Sequence, residues 1–199
     1  MIGAEPGSTG REEVGVRALV IYESMFGNTH AVAEHIAEGI ESAFETTEAV
    51  DVTVLPVHDA TPERLAAADL VVVGGPTHVH GMSSERSRAG AADMAAKDED
   101  LELDPDAYGE GLRDWFASLT DEAGTGRSAA AFDTRVHGST VLTGQASKGI
   151  AKRLRSHGFE LVVDGESFFV DKSNHLEAGE VDRATSWGHR VADAARAAR

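Results

Sequence analysis

Ala18-Leu19-Val20-Ile21-Tyr22-Glu23-Ser24-Met25-Phe26-Gly27-Asn28-Thr29 is the stretch on which the fold turns. Its first five residues are a continuous apolar run of strand length, the pattern of a strand buried on both faces. Beyond it, residues 28–44 set Val32, Ile36 and Ile40 at fourfold spacing with Ala33 and Ala37 beside them, which predicts an amphipathic helix. A buried strand that runs through a short polar loop into a helix is the opening unit of a doubly wound α/β domain.

Working outward, the same alternation continues. Residues 51–57 read as a second strand closed by Pro56, and Thr61-Pro62-Glu63 opens a short helix with Thr61 as cap. Residues 69–75 are the most apolar strand and are expected at the centre of the sheet. The least regular part, 83–119, holds a Ser/Arg-rich loop at 83–88, an Ala-rich piece, an acidic run at 98–106 that reads as solvated surface, and a helix around Leu112, Trp115, Phe116 and Leu119. Both tryptophans, Trp115 and Trp187, have apolar helical neighbours and are expected to pack. Residues 128–134 form a fourth strand of small residues. A helix at 147–157 is capped by Ser147 and stopped at Gly158. Residues 159–163 and 167–170 make a fifth strand, interrupted or folded into a hairpin at Asp164-Gly165. The last helix, 177–198, has acids at its start and Arg190, Arg196 and Arg199 towards its end, matching the helix dipole. Strands alternating with helices predict one domain over 16–199, a parallel sheet with helices on both faces. The Gly- and Glu-rich start, 1–15, reads as a disordered tail without the apolar core of a secretory signal, so a cytoplasmic location is expected.

With 18 basic and 34 acidic residues among 199, the formal charge is −16. Such a surface repels phosphate backbones and anionic lipid, so neither a nucleic acid nor a membrane is expected as partner, whereas a basic protein is compatible. The chain has no cysteine, which excludes disulfides, thiolate metal sites and cysteine nucleophiles. No apolar run approaches the ~18 residues of a membrane-spanning helix.

Ligands of doubly wound folds sit beyond the carboxyl ends of the strands. There the first strand delivers Ser24, Gly27, Asn28 and Thr29 to the start of a helix, where hydroxyls and backbone N–H groups can converge on an anion. The loop lacks the Gly-Lys-Ser/Thr of a nucleoside-triphosphate loop and the Gly-x-Gly-x-x-Gly spacing of a dinucleotide loop. A neutral cradle of this kind suits a terminal phosphate monoester; the same residues would also make a tight capped turn.

The run Val20-Ile21-Tyr22-Glu23-Ser24-Met25-Phe26-Gly27-Asn28-Thr29, followed by Ala33 and Ile36, resembles the phosphate-loop signature of the flavodoxin family. The resemblance extends over about 17–190. It includes Gly74-Gly75-Pro76-Thr77, which is similar to that family's first ring loop, and Glu180, Arg183, Ala184, Trp187 and Gly188 in the last helix. It implies a five-stranded parallel sheet in the order 2-1-3-4-5 and a flavin mononucleotide (FMN) cofactor. Its phosphate would be held by Ser24, Met25, Phe26, Gly27, Asn28 and Thr29, and its ring by Pro76, Thr77, His78, Val79, His80 and Gly81 together with Phe132, Asp133, Thr134 and Arg135. Two departures stand out. Phe26 occupies a position where many flavodoxins carry a hydroxyl, and the ring loops lack the usual Trp and Tyr, offering His78, His80, Phe132 and His137 instead.

One of these histidines would stack on or hydrogen-bond the ring, and a protonated imidazole there would stabilise negative charge on it. His78 and His80 as metal ligands lack a third ligand at suitable spacing, so no metal is expected. Arg135 either supplies fixed positive charge or forms a surface ion pair; Phe132 either faces the ring or belongs to the core. No residue is expected to act as catalytic acid or base. The resemblance implies electron transfer with a redox partner bearing a basic face. The alternative is a flavoenzyme similar to NAD(P)H:quinone oxidoreductases, in which 83–119, with Arg86 and Arg88, covers the ring; no nicotinamide-nucleotide fingerprint accompanies it.

Overall fold

A parallel sheet forms the middle layer of the molecule, in a computed structural model that describes residues 15–44, 49–78, 81–98, 101–138 and 144–199. In chain order the elements are β1 (Val16–Tyr22), α1 (Asn28–Phe44), β2 (Val50–Pro56), a 3-10 turn (Val57–Asp59), α2 (Pro62–Ala67), β3 (Leu70–His78), β4 (Gly81–Met82), α3 (Glu85–Ala95), α4 (Leu112–Ser118), β5 (Ser128–Val136), α5 (Ala146–Ser156), β6 (Glu160–Leu161), β7 (Glu166–Val170) and α6 (Glu180–Ala197). The sheet runs β2-β1-β3-β5, and both β6 and β7 pair in parallel with β5. Counted by parallel positions this is the 2-1-3-4-5 order. The numbering differs because β4, two residues antiparallel to the end of β3, intervenes. The fifth position is interrupted rather than a hairpin: Leu161 pairs with Ala129, Glu166 with Phe132, and both segments run the same way.

Period-two alternation sorts the strand residues into two cores. Val20, Val72, Ala130 and Phe132 face α1 and α6, where they meet Val32, Ile36, Ile40, Trp187 and Val191. Ile21, Val71, Val73, Ala129 and Ala131 face the other way, against Leu65, Leu112, Trp115, Phe116, Ile150 and Leu154. A strand covered on both faces has to be apolar throughout, which is why β1 and β3 read as unbroken hydrophobic runs. Both tryptophans are buried packing residues, and Trp115 also donates its ring N–H to Ala60 O at 2.8 Å.

Three local expectations are corrected. The 83–88 stretch is not simply a loop, because α3 starts at Glu85. Ser84 and Ser87 form a reciprocal capping box, each side chain accepting the other's backbone N–H. Ser147 is not a helix cap. It lies inside α5, and the first N–H groups of that helix find acceptors far away in sequence: Thr77 Oγ1 takes Ala146 N–H at 2.8 Å and Asp133 Oδ2 takes Ser147 N–H at 3.2 Å. The last helix begins at Glu180 rather than 177, since Glu177 N–H is drawn to Phe169 O and Gly179, at φ 85°, makes the turn into the helix. By contrast, Thr61 caps α2 through Arg64 N–H, and Gly158, at φ 84°, closes α5, both as expected. Among the described residues no helix is long and apolar enough to cross a membrane.

Candidate functional site

The loop between β1 and α1 is shaped by its own polar atoms. Glu23 N–H donates to Gly74 O at 3.0 Å, which fixes the loop to the end of β3. Gly27, at φ 83°, turns the chain, and its N–H donates to Ser24 Oγ at 3.1 Å. Ser24 and Thr29 are buried, and Thr29 Oγ1 shares a 2.7 Å hydrogen bond with Thr134 Oγ1 at the end of β5. The first turn of α1 contains no acidic residue, so its unpaired N–H groups and positive dipole end meet no built-in anion.

Ser24, Met25, Phe26, Asn28 and Thr29 open onto a cleft together with Pro76, Thr77 and His78 from β3 and Thr134 and Arg135 from β5. The structure thus brings together most of the residues expected from the sequence. Gly27 supplies the turn rather than wall, and Gly81, in β4, pairs with His78 behind the wall without lining it. Val79 and His80 lie outside the described residues. Two expectations are corrected. Phe132 is fully buried, its ring lying against Gly74 and edge-on to Phe168 and Trp187, so it is a core residue and not a ring contact. Asp133 is also fully buried beneath the cleft. Its Oδ2 accepts Thr77 Oγ1–H at 2.6 Å as well as the α5 N–H, so it braces the two ring loops instead of touching a ligand. His137 packs its ring on Phe169 at 4.5 Å and faces solvent, pairing with Glu177.

Arg135 is buried rather than exposed. Its guanidinium lies 4.9 Å over the Phe169 ring and donates to Gly138 O at 3.0 Å, so a permanent cation is held against the cleft wall. His78 behaves oppositely. Burial pushes its pKa below the usual imidazole value, opposed in part by the negative field of Glu23. His78 thus favours the neutral form, while the other expected histidine, His80, lies outside the described residues and Arg135 brings fixed positive charge. Below the unfolded value near pH 6.5 the unfolded chain binds a proton that folded His78 resists, so stability falls as pH drops through that range. Denaturant midpoints for the wild type and His78→Asn, compared at pH 7.5 and 5.5, are expected to show a smaller loss on acidification in the variant; equal losses would mean that His78 does not contribute.

Sequence reasoning missed Val136, Val170 and Asn174 in the wall. Asn174 carries φ 61°, the one positive φ outside glycine among the described residues, and its C=O accepts Asn28 Nδ2–H at 2.8 Å. The signal was the Asp171-Lys172-Ser173-Asn174 turn, in which the Asp171 carboxylate accepts Ser173 and His175 N–H. Also missed was Glu23. Its buried carboxylate accepts Leu112 N–H at 2.8 Å and Ser83 Oγ–H, and Arg88 approaches to 3.9 Å while pairing with Asp114 at 3.1 Å. This cluster latches 83–113 to the end of β1, so Arg88 is committed here and does not reach over the cleft. Nearby, Met25 packs with Ala91 and Ala107, and Phe26 and Leu103 lie against them, so the segment buttresses the phosphate loop.

The cleft of about 180 Å³ adjoins a second hollow of about 770 Å³ that shares Phe26, Val136, Val170 and Asn174 and is walled by Met94 and Leu101. Jointly they reach the size of a cofactor pocket. At one end is a neutral N–H- and hydroxyl-rich turn, at the other two strand ends with a fixed cation, and this arrangement fits a phosphate-bearing ring compound such as a flavin nucleotide. Fold and cleft together define a doubly wound α/β protein with an open cleft across the carboxyl ends of its strands.

The comparisons sharpen the class. Residues 20–194 match the flavodoxin family, and the chain belongs to it; the family is one of flavin-binding proteins. A stretch of 72 residues is 38% identical to a flavodoxin of Aquifex aeolicus (strain VF5), covering 36% of this chain and 37% of that protein. The chain thus spans just over a third of the length of that relative in the match. Solved structures agree on the fold. A flavodoxin from the domain Archaea superposes with TM-score 0.59 at 22% identity, covering 91% of this chain and 99% of the other. A WrbA-like flavodoxin of Agrobacterium tumefaciens gives 0.58 at 21%, covering 92% and 99%.

Proposed function

We propose that the protein binds FMN and carries electrons between redox partners. The observation that supports this most is the uncharged turn Ser24–Thr29 at the start of α1, opening onto a cleft flanked by Thr77, His78 and Arg135. Bound FMN would supply the redox chemistry. The chain holds and tunes it: Ser24, Asn28 and the α1 N–H groups take the phosphate, Thr77 and neighbouring backbone the ring edge, and Arg135 raises the local potential for negative charge. The acidic surface, with net charge −16, favours a partner with a basic face, and its encounter rate would fall with added salt.

Anaerobic stepwise reduction of the FMN-loaded protein tests the proposal. Two resolved one-electron steps support a carrier. Rapid NAD(P)H consumption with a quinone, in one two-electron step, would instead favour the oxidoreductase reading, to which the hollow beside Met94 and Leu101 lends a place for an acceptor. Ser24→Ala and Asn28→Ala are each expected to weaken FMN about tenfold while leaving riboflavin unchanged, since one hydrogen bond to a charged group contributes about 1.5 kcal/mol or more. Calorimetric titration of both ligands checks this.

A further inference from the structure

Beside the phosphate loop, on the side away from the cleft, lies a cluster that the flavin reading does not use. His30 comes from the first turn of α1, Asp104 and Asp106 from the segment before α4, and His58 from the 3-10 turn after β2. One ligand atom from each of His30, Asp104 and Asp106 lies within 4.8 Å of the others. His58 Nε2 stands 3.9 Å from Asp106 Oδ1, at the edge of this group. We propose that His30, Asp104 and Asp106 form a three-ligand binding site for one divalent transition-metal ion of the zinc class.

Three observations support the assignment. First, the Asp104 side chain is 1% exposed, yet its side-chain neighbour is a histidine at 3.3 Å; among the described residues no arginine or lysine pairs with Asp104 or Asp106. Buried carboxylates are ordinarily paired with a cation or bound to a metal. Second, the donors are already oriented. The Tyr22 hydroxyl donates to Asp106 Oδ2 at 2.7 Å, and the Tyr22 ring stacks on His30 at 4.2 Å. Asp106 N–H donates to Asp104 Oδ1 at 2.9 Å, leaving Oδ2 towards His30. Outer contacts of this kind fix ligand geometry in metal centres. Third, an imidazole with two carboxylates and room for water suits zinc and its neighbours, whereas calcium and magnesium prefer all-oxygen sets. Tetrahedral donors around zinc lie about 3.3 Å apart, so modest side-chain rotation closes the cluster.

The site is tied to the flavin loop through the backbone, for Asp104 N–H donates to Met25 O at 2.9 Å. An ion here would strap the segment carrying Leu103 and Ala107 onto α1 and stiffen the phosphate turn from behind.

The test titrates the full chain, stripped by a chelator, with Co²⁺ followed by visible absorption and with Zn²⁺ followed by calorimetry, each with and without FMN. The expected result is one equivalent of Co²⁺ in a low-symmetry site, displaced by Zn²⁺, and a melting temperature raised by about 5–10 °C at a hundredfold excess over Kd. His30→Gln and Asp106→Asn, both partly exposed and checked for folding by circular dichroism, should each weaken binding at least tenfold. Absence of saturable one-to-one binding would overturn the proposal, as would equal affinity in both variants, which would place the ion on the general acidic surface. Failure of FMN to bind has no bearing on the metal arms of the titration.

Discussion

Gly188→Val is expected to destabilise the protein by about 3 kcal/mol or more, lowering the melting temperature by roughly 6–12 °C. Helices α1 and α6 touch backbone to backbone where Gly39 meets Gly188. A Cβ on Gly188 would stand 2.2 Å from Ile36 O, and one on Gly39 would stand 2.1 Å from Thr185 O. Neither obstacle is a flexible side-chain tip, so the helices have to separate, and Ile36, Ile40, Trp187 and Val191 lose their packing with them. The contrast is Gly90 in α3, where an added Cβ meets nothing within 4 Å. Gly90→Ala should be stabilising by about 0.5–1 kcal/mol through helix propensity and a less free unfolded chain. Thermal melts of the two variants measure both; a Gly188→Val protein as stable as the wild type would refute the close-packed interface.

Glu23→Ala carries the second large effect, a loss of about 2–4 kcal/mol, because two donors lose their acceptor. The substitution strips the acceptor from Leu112 N–H and Ser83 Oγ–H and one nearby negative charge from half-buried Arg88, which keeps Asp114. Glu23→Gln keeps an acceptor but not the charge and should lose less. Because the latch holds 83–113, native-state hydrogen exchange should show α3 and the segment before α4 opening first in Glu23→Ala, with α1 and α6 protected. A uniform rise in exchange across all elements would mean that Glu23 is not a local latch.

The layout of the sheet was legible because β1 and β3 are covered on both faces and must be apolar throughout. The tight turn from β1 into α1 was legible because hydroxyl, glycine and asparagine cluster where a strand meets a helix. Contacts that span long stretches of chain were not. Glu23 reads as one more acid in an acidic protein, since its partners lie 60 and 89 residues away. Ser147 reads as a cap because sequence reasoning looks for local acceptors, whereas Thr77 and Asp133 cap α5 from 69 and 14 residues away. Phe132 and Arg135 sit three apart on one strand, yet one turns into the core and the other lines the cleft beyond the last covered residue. Strand alternation puts them on opposite faces, but where the covering helices end is decided by tertiary packing.

The central claim is that an uncharged turn at the start of α1 holds the terminal phosphate of a flavin. Calorimetric comparison of FMN with riboflavin on the same flavin-free protein tests it most directly. Two or three hydrogen bonds to a charged phosphate predict that FMN binds at least about a hundredfold more tightly. Equal affinities for the two compounds, or no binding of FMN, would contradict it.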